Sequence, residues 1–247
     1  MSKTFAGQQK TYPLSLRPLL RAFADINAKT PHLDDEKLAA AFRKWGCGNT
    51  LTTHTKFQAA AHEAGHVAVY ALARVPLIKA KIFQDLTVPG NWLGHALHLD
   101  LLPPLVLIHE ADVFSQLARF TMSGPIAEAL IGNGNEMASF PELLRASAFS
   151  ARAAELDGGC WLEMWTVNVL ATVATVEQSA PNIKSLASLL ERRSEIEPQQ
   201  RKVKRILEAI VGVGHGKVLL SCKGQALARR LVEDVPCASA LLLGSAL

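Results

Sequence analysis

Two histidines and one glutamate stand close together in a stretch that could bind a metal ion and use it for hydrolysis. Residues 59–69 read AAAHEAGHVAV and contain His62, Glu63 and His66. On a helix, positions i and i+4 lie on the same face, so the two imidazoles can hold one metal ion together. Glu63 is rotated away from them and can reach a water molecule on that ion. Two imidazoles, a further protein ligand and an open water position are typical of a catalytic zinc site, with Glu63 as general base.

The residues around this motif predict a buried helix. The segment from Phe57 to Val75 contains no proline, and alanine, leucine, valine and tyrosine surround the motif on its other faces. A helix that is apolar all round belongs in a core. Burying two imidazoles and a carboxylate there is costly without partners, and a metal ion is the simplest partner. The alternative is a pair of hydrogen-bonded core histidines.

The composition favours a globular protein with a sizeable core, since 49% of the 247 residues are hydrophobic. The net charge of +4 is weak evidence for a polyanionic partner, so no nucleic-acid binding is expected.

The N-terminus lacks the apolar core of a signal peptide, and no uncharged apolar run reaches the length of a membrane span. We therefore expect a cytoplasmic protein. No cysteine pair has the C-x-x-C spacing of a redox or zinc site: Cys47, Cys160, Cys222 and Cys237.

Hydrophobic periodicity predicts a mainly α-helical fold with one small β-hairpin. Strands are expected at residues 78–83 and 93–99, because both alternate between apolar and polar positions. His95 and His98 lie on the second strand and are expected on opposite faces, as polar surface residues. Residues 123–125 (SGP) are expected to interrupt a helix. The predicted helices are 14–28, 33–45, 57–75, 109–121, 126–131, 141–156, 161–176, 182–192, one around 203–211, and a basic helix within 217–247.

Several of these stretches together resemble the peptidase domain of FtsH-type ATP-dependent zinc proteases. HEAGHVAV is similar to that family's HEAGHA helix, and the strands IKAKIF and LGHALHL stand where the family has a short hairpin. SGPIAEALIGNG resembles the family's GGRxAEExxxG segment, with Glu128 at its first acidic position. Residues 179–207 resemble the closing helices. The resemblance covers residues of about 56–210 and implies a zincin-like metallopeptidase fold.

The family's ATPase module and membrane anchor have no counterpart in this sequence. Residues 212–217 (GVGHGK) are not a nucleotide-phosphate loop, because Val211 and Val218 replace its glycine and its serine or threonine. We expect three regions. A helical N-terminal extension occupies residues 1–50, the zincin-like peptidase domain residues 51–211, and a basic helix and tail residues 212–247.

The resemblance also implies a third zinc ligand. In the family this ligand is an aspartate in an Asn-Asp pair that opens a helix, and placing PELLRAS on that helix puts Glu142 on the ligand position. Glutamate is an adequate ligand, as in other sites with two histidines and one glutamate. Glu128 and Glu136 remain alternatives.

The function expected from these observations is that of a stand-alone zinc metallopeptidase. Its substrates would be peptides or unfolded proteins, which could lie along the 93–99 strand by β-augmentation. A separate unfoldase could deliver them, and the family resemblance implies a homo-oligomer. The alternative is a catalytically silent zinc scaffold that regulates or binds other proteins. The presence of Glu63 argues against that alternative, because a silent site does not need a general base.

Overall fold

The fold is mainly helical with a small antiparallel sheet, as predicted. The computed structural model describes residues 53–98, 110–134, 139–212 and 219–235. The helices are α1 (Lys56–Leu72), α2 (Glu110–Ile131), α3 (Phe140–Asp157), α4 (Trp161–Gln178), α5 (Ala180–Arg193), α6 (Arg201–Val211) and α7 (Cys222–Asp234). The strands are β1 (Leu77–Gln84), β2 (Trp92–His98) and β3 (Glu195–Ile196). The predicted helices at 14–28 and 33–45, and Glu136, lie outside the described residues.

Helix α1 carries the motif and lies at the centre of the fold. It begins with a capping box, in which the Thr55 side chain accepts from the backbone of Gln58 and the Gln58 side chain accepts from the backbone of Thr55. It packs against α2, α5, β1 and β2. Ala60, Ala61 and Ala64 are fully buried. The prediction of a buried helix is confirmed, and small side chains allow the neighbouring elements to approach it closely.

The sheet has three antiparallel strands in the order β2-β1-β3. Ile82 of β1 pairs with Gly94 of β2, and Ala80 of β1 pairs with Ile196 of β3. The predicted hairpin is confirmed, whereas the two-residue strand β3 was not predicted. Among the described residues β2 pairs with β1 alone, and its other edge has no strand partner there.

Helix α2 runs without interruption past Pro125, so the predicted break at residues 123–125 is wrong. A proline inside a helix costs about 3 kcal/mol, because it removes a backbone hydrogen bond and crowds the preceding turn. Met122, Ile126 and Ala127 are each 0% exposed. Their burial continues on both sides of the proline and offsets its cost.

The remaining helices complete the core around α1 and α2. Pro141 stands in the first turn of α3, and Gly158 ends this helix in a left-handed conformation with φ of 67°. Helix α4 buries one face only, because Val167 on its other side is 53% exposed. Trp165 of α4 donates from Nε1 to the carbonyl of Leu231 in α7 at 3.0 Å, which ties the last described helix to the core. None of the helices in the described ranges combines the length and apolarity needed to cross a membrane.

Candidate metal site

The three predicted ligands, His62, His66 and Glu142, meet where the middle of α1 faces the start of α3. His62 Nε2 lies 3.2 Å from His66 Nε2 and 3.2 Å from Glu142 Oε2. His66 Nε2 lies 3.5 Å from the same carboxylate oxygen. These side chains form a group that could hold a metal ion. We refer to the two Nε2 atoms and Glu142 Oε2 as the three donor atoms.

The spacing of the three donor atoms fits a small tetrahedral cation. Ligand bonds of about 2.0–2.2 Å in a tetrahedral site place the ligand atoms roughly 3.3 Å from one another. The observed separations lie between 3.2 and 3.5 Å. The side chains of His62, His66 and Glu142 are 10%, 15% and 35% exposed, and the donor oxygen Glu142 Oε2 is itself buried.

The hydrogen bonds made by Nδ1 of each imidazole determine that Nδ1, and not Nε2, carries the proton of the neutral ring. His62 Nδ1 lies 3.1 Å from Glu128 Oε2, and His66 Nδ1 lies 2.9 Å from the carbonyl oxygen of Phe120. His66 Nδ1 also lies 3.1 Å from Ser123 Oγ. Carbonyl and carboxylate oxygens only accept, so each Nδ1 donates. In the neutral rings the lone pairs of both Nε2 atoms then point at the site, as metal binding requires.

When both rings are neutral, each of the three donor atoms presents a lone pair to the other two. The site therefore favours positive charge between them, as bound protons or as a cation. Burial lowers the pKa of His62, but the charge of Glu142 and the contact with Glu128 outweigh burial and leave that pKa well above its ordinary value. Burial raises the pKa of Glu142, but His62 and His66 outweigh it and leave that pKa below its ordinary value. A divalent cation can take the place of the protons held here, and its binding would release them.

Glu63 lies beside this group, against strand β2. Its side chain is buried, and the backbone of Ala96 forms a hydrogen bond with its carboxylate. A Cβ atom at Gly94 would lie 2.5 Å from Glu63 Cγ, so only glycine allows this approach. Burial raises the pKa of Glu63, while the charges of His62 and His66 act in the opposite direction. Glu63 Oε2 is buried and has no hydrogen-bond partner among the described residues, which leaves it able to accept a proton.

Gly124 closes the inner side of the site. A Cβ atom at this position would lie within 2.5 Å of His62 Nε2 and against His66 Nε2. Both rings are fixed by hydrogen bonds at Nδ1, so neither can move away from a Cβ atom at residue 124 without breaking its hydrogen bond. The backbone of α2 therefore approaches the three donor atoms as closely as it does only because residue 124 lacks a side chain.

Glu128 is a partner of His62 and lies outside the group of three. Its side chain is almost fully buried, with Oε2 facing His62 Nδ1 and Oε1 lying 2.9 Å from His54 Nδ1. Both oxygens are thus occupied by imidazoles. Sequence reasoning did not identify His54, and no local pattern marks it, because its contact with Glu128 depends on how α2 packs beside α1.

The two histidines of β2 differ from each other. His95 is exposed and His98 faces the core, which confirms that they lie on opposite faces. The prediction that His98 is a surface residue is wrong, because its ring stacks on Tyr70 at a centroid distance of 3.9 Å. Burial lowers the pKa of His98 to about 3, with the charge of His66 as the second cause. His98 is therefore neutral near pH 7.

No protein-family model matches this chain, and no curated protein matches it.

Proposed function

We propose that this protein is a zinc metallopeptidase. The observation that carries the proposal is the convergence of the three donor atoms at tetrahedral spacing, with the unpartnered carboxylate oxygen of Glu63 beside them. A set of two histidines and one glutamate is a ligand set of catalytic zinc sites, and three protein ligands leave a fourth position for water or substrate. A purely structural zinc site would have all four positions filled by the protein.

The proposal gives each polar group one role. His62, His66 and Glu142 hold the ion. When bound, zinc supplies a Lewis acid that polarises a carbonyl group and lowers the pKa of a coordinated water to about 7. Glu63 accepts a proton from the attacking water and passes it to the amide nitrogen as the C–N bond breaks. Its buried Oε2 atom has no hydrogen-bond partner among the described residues and suits this role, because a general base needs a free lone pair for the proton.

Strand β2 is the place for a peptide substrate in this proposal. It has an open edge in the described sheet, and its inner face carries Gly94 and Ala96 against Glu63. An extended peptide paired with β2 by β-augmentation would run past the catalytic carboxylate. Substrates of this kind are peptides or unfolded segments, which agrees with the resemblance to FtsH-type peptidases. A partner unfoldase and a homo-oligomer belong to the same proposal.

Metal content and peptide cleavage measured on one purified sample test the proposal. We expect about one zinc per chain, and cleavage of casein or of a peptide library that a chelator abolishes and added zinc restores. His62→Ala should lose both the zinc and the activity, whereas Leu219→Ala, which changes a side chain that is 97% exposed, should retain both. A folded wild-type protein that binds no zinc would refute the proposal. Zinc binding without cleavage of any peptide would instead favour the silent zinc scaffold.

A further inference from the structure

Glu128 links two imidazoles that lie on different parts of the chain. It is 1% exposed, and a carboxylate at such depth needs donors on both oxygens. His62 Nδ1 lies 3.1 Å from Oε2, and His54 Nδ1 lies 2.9 Å from Oε1. Since the carboxylate only accepts, each Nδ1 donates. His54 therefore fixes the far oxygen of the group that orients a metal ligand.

The main chain of His54 is attached to the β1–β2 hairpin. Its N–H donates to Asn91 Oδ1 at 2.8 Å, and its carbonyl accepts from the N–H of Trp92 at 3.0 Å. Asn91 also donates from Nδ2 to Asp85 Oδ2 at 3.1 Å, and its carbonyl accepts from the N–H of Asp85 at 2.9 Å. Trp92 is the first residue of β2. A chain of hydrogen bonds thus runs from the hairpin turn through His54 and Glu128 to His62.

We propose that His54 is a positioning residue that couples the β1–β2 hairpin to the metal ligand His62. This inference rests on the proposed metal site. The imidazole of His54 holds Glu128, Glu128 holds the ring of His62 in the tautomer that leaves Nε2 free, and the backbone of His54 holds the start of β2. One residue therefore contacts both the strand proposed to take the substrate, through its backbone, and the carboxylate that orients the metal ligand, through its side chain.

The test compares the metal affinity of four single variants. His54→Ala removes the donor to Glu128, and we expect it to weaken zinc binding about tenfold, the lower end of the range for lost outer contacts. His54→Asn should restore most of the affinity, because the amide Nδ2 can occupy the place of the imidazole Nδ1. Asn91→Ala should weaken binding measurably but by less than the roughly tenfold of His54→Ala, since it loosens only the backbone of His54. Leu86→Ala is the matched control, because Leu86 lies in the same turn and is 99% exposed.

Affinity is measured by competition with a chromophoric chelator, and the visible absorption bands of the cobalt-substituted protein report the ligand geometry. His54→Ala should shift these bands and His54→Asn should return them towards the wild type. In a Glu128→Gln background, His54→Ala should have no additional effect, because the two residues act in series.

The outcomes separate this inference from the proposed function. A wild-type protein without metal removes both. A different result is that His62→Ala abolishes zinc binding while His54→Ala binds zinc as tightly as the wild type. That result overturns the role of His54 but leaves the proposed metal site intact. If His54→Ala weakens binding while Asn91→Ala matches Leu86→Ala, the coupling to the hairpin is wrong. If His54→Ala does not fold, two other comparisons test the coupling: Asn91→Ala against Leu86→Ala, and His54→Asn against the wild type. An Asn91→Ala variant with wild-type spectra and wild-type zinc affinity would overturn the coupling.

Discussion

Helix α2 contributes to two buried polar clusters that differ in whether their polar atoms are paired as hydrogen-bond donor and acceptor. In the first, Arg119 Nε donates to Asn168 Oδ1 at 2.9 Å, and Asn168 Nδ2 donates to Ser150 Oγ at 3.1 Å. Asn168 and Ser150 are each 0% exposed. Each of these donors meets an acceptor on a neighbouring helix. We call this the closed cluster, and its evident role is to fix the packing of α2, α3 and α4.

The second cluster runs from His54 through Glu128 to His62, and it is not closed. It ends at the three donor atoms, which lie 3.2 to 3.5 Å apart and which protons or a cation held between them can bring together. We call this the open cluster. Buried polar groups are normally paired, so a cluster whose last three atoms are paired only through bound protons or a cation is a candidate metal site. The comparison shows that the balance of donors and acceptors, rather than burial or charge alone, distinguishes a structural network from a candidate site.

Gly124→Ala should break the open cluster most completely. The new methyl group would lie within 2.5 Å of His62 Nε2 and must displace at least one imidazole. Zinc affinity should therefore fall by more than the roughly 10–100-fold that follows loss of an outer contact, and peptide cleavage should disappear with it. Gly159→Ala is the control, because a Cβ at Gly159 has no atom within 4 Å among the described residues. Equal zinc affinity in the two variants would show that the donor atoms are not where the ion binds.

Glu63→Gln should separate catalysis from metal binding within the open cluster. The amide is isosteric with the carboxylate but cannot accept the proton, so kcat should fall by about 10²–10⁴-fold. Zinc content should remain that of the wild type, because Glu63 is not one of the three ligands. Glu233→Gln, on an exposed position of α7, should leave both unchanged. A Glu63→Gln variant with wild-type turnover would remove Glu63 from the mechanism.

Only the part of the site that lies on α1 can be predicted from spacing, because only that part is local in the sequence. His62, Glu63 and His66 stand on one helix, where the spacing alone decides which side chains share a face. Glu142 required the resemblance to FtsH-type peptidases, since no spacing rule connects it to α1. His54 was missed for the same reason, because its contact with Glu128 spans two elements that only the folded chain brings together.

The errors in the fold have a common physical cause. The rule that proline breaks a helix is local, and it failed at Pro125 because burial against α1 outweighs the local cost. Strand β3 has two residues, too few for any periodicity, and it exists because Ile196 pairs with Ala80 of β1. Likewise, alternation predicted only that His95 and His98 lie on opposite faces of β2, and the burial of His98 depends on the stack with Tyr70.

The closed and open clusters should respond in opposite ways to loss of one member. Asn168→Ala leaves the Nε donor of Arg119 and the hydroxyl of Ser150 without their partner, at a cost of about 1–3 kcal/mol in the free energy of unfolding. Its zinc affinity should stay within about twofold of the wild type, because no hydrogen bond connects Asn168 to the described site residues. Glu128→Gln should instead weaken zinc binding about 10–100-fold, since an amide cannot accept from both His54 and His62.

Urea denaturation of the metal-free variants and competition with a chelator measure the two quantities on the same samples. The contrast is informative because both residues are buried and polar, so a general sensitivity of the core would affect them alike. If Asn168→Ala weakens zinc binding as much as Glu128→Gln does, the two clusters are one network and the division between a structural and a functional region is wrong. If Glu128→Gln changes only the free energy of unfolding, the open cluster does not hold the metal through His62, and the lone pairs at its end need another explanation.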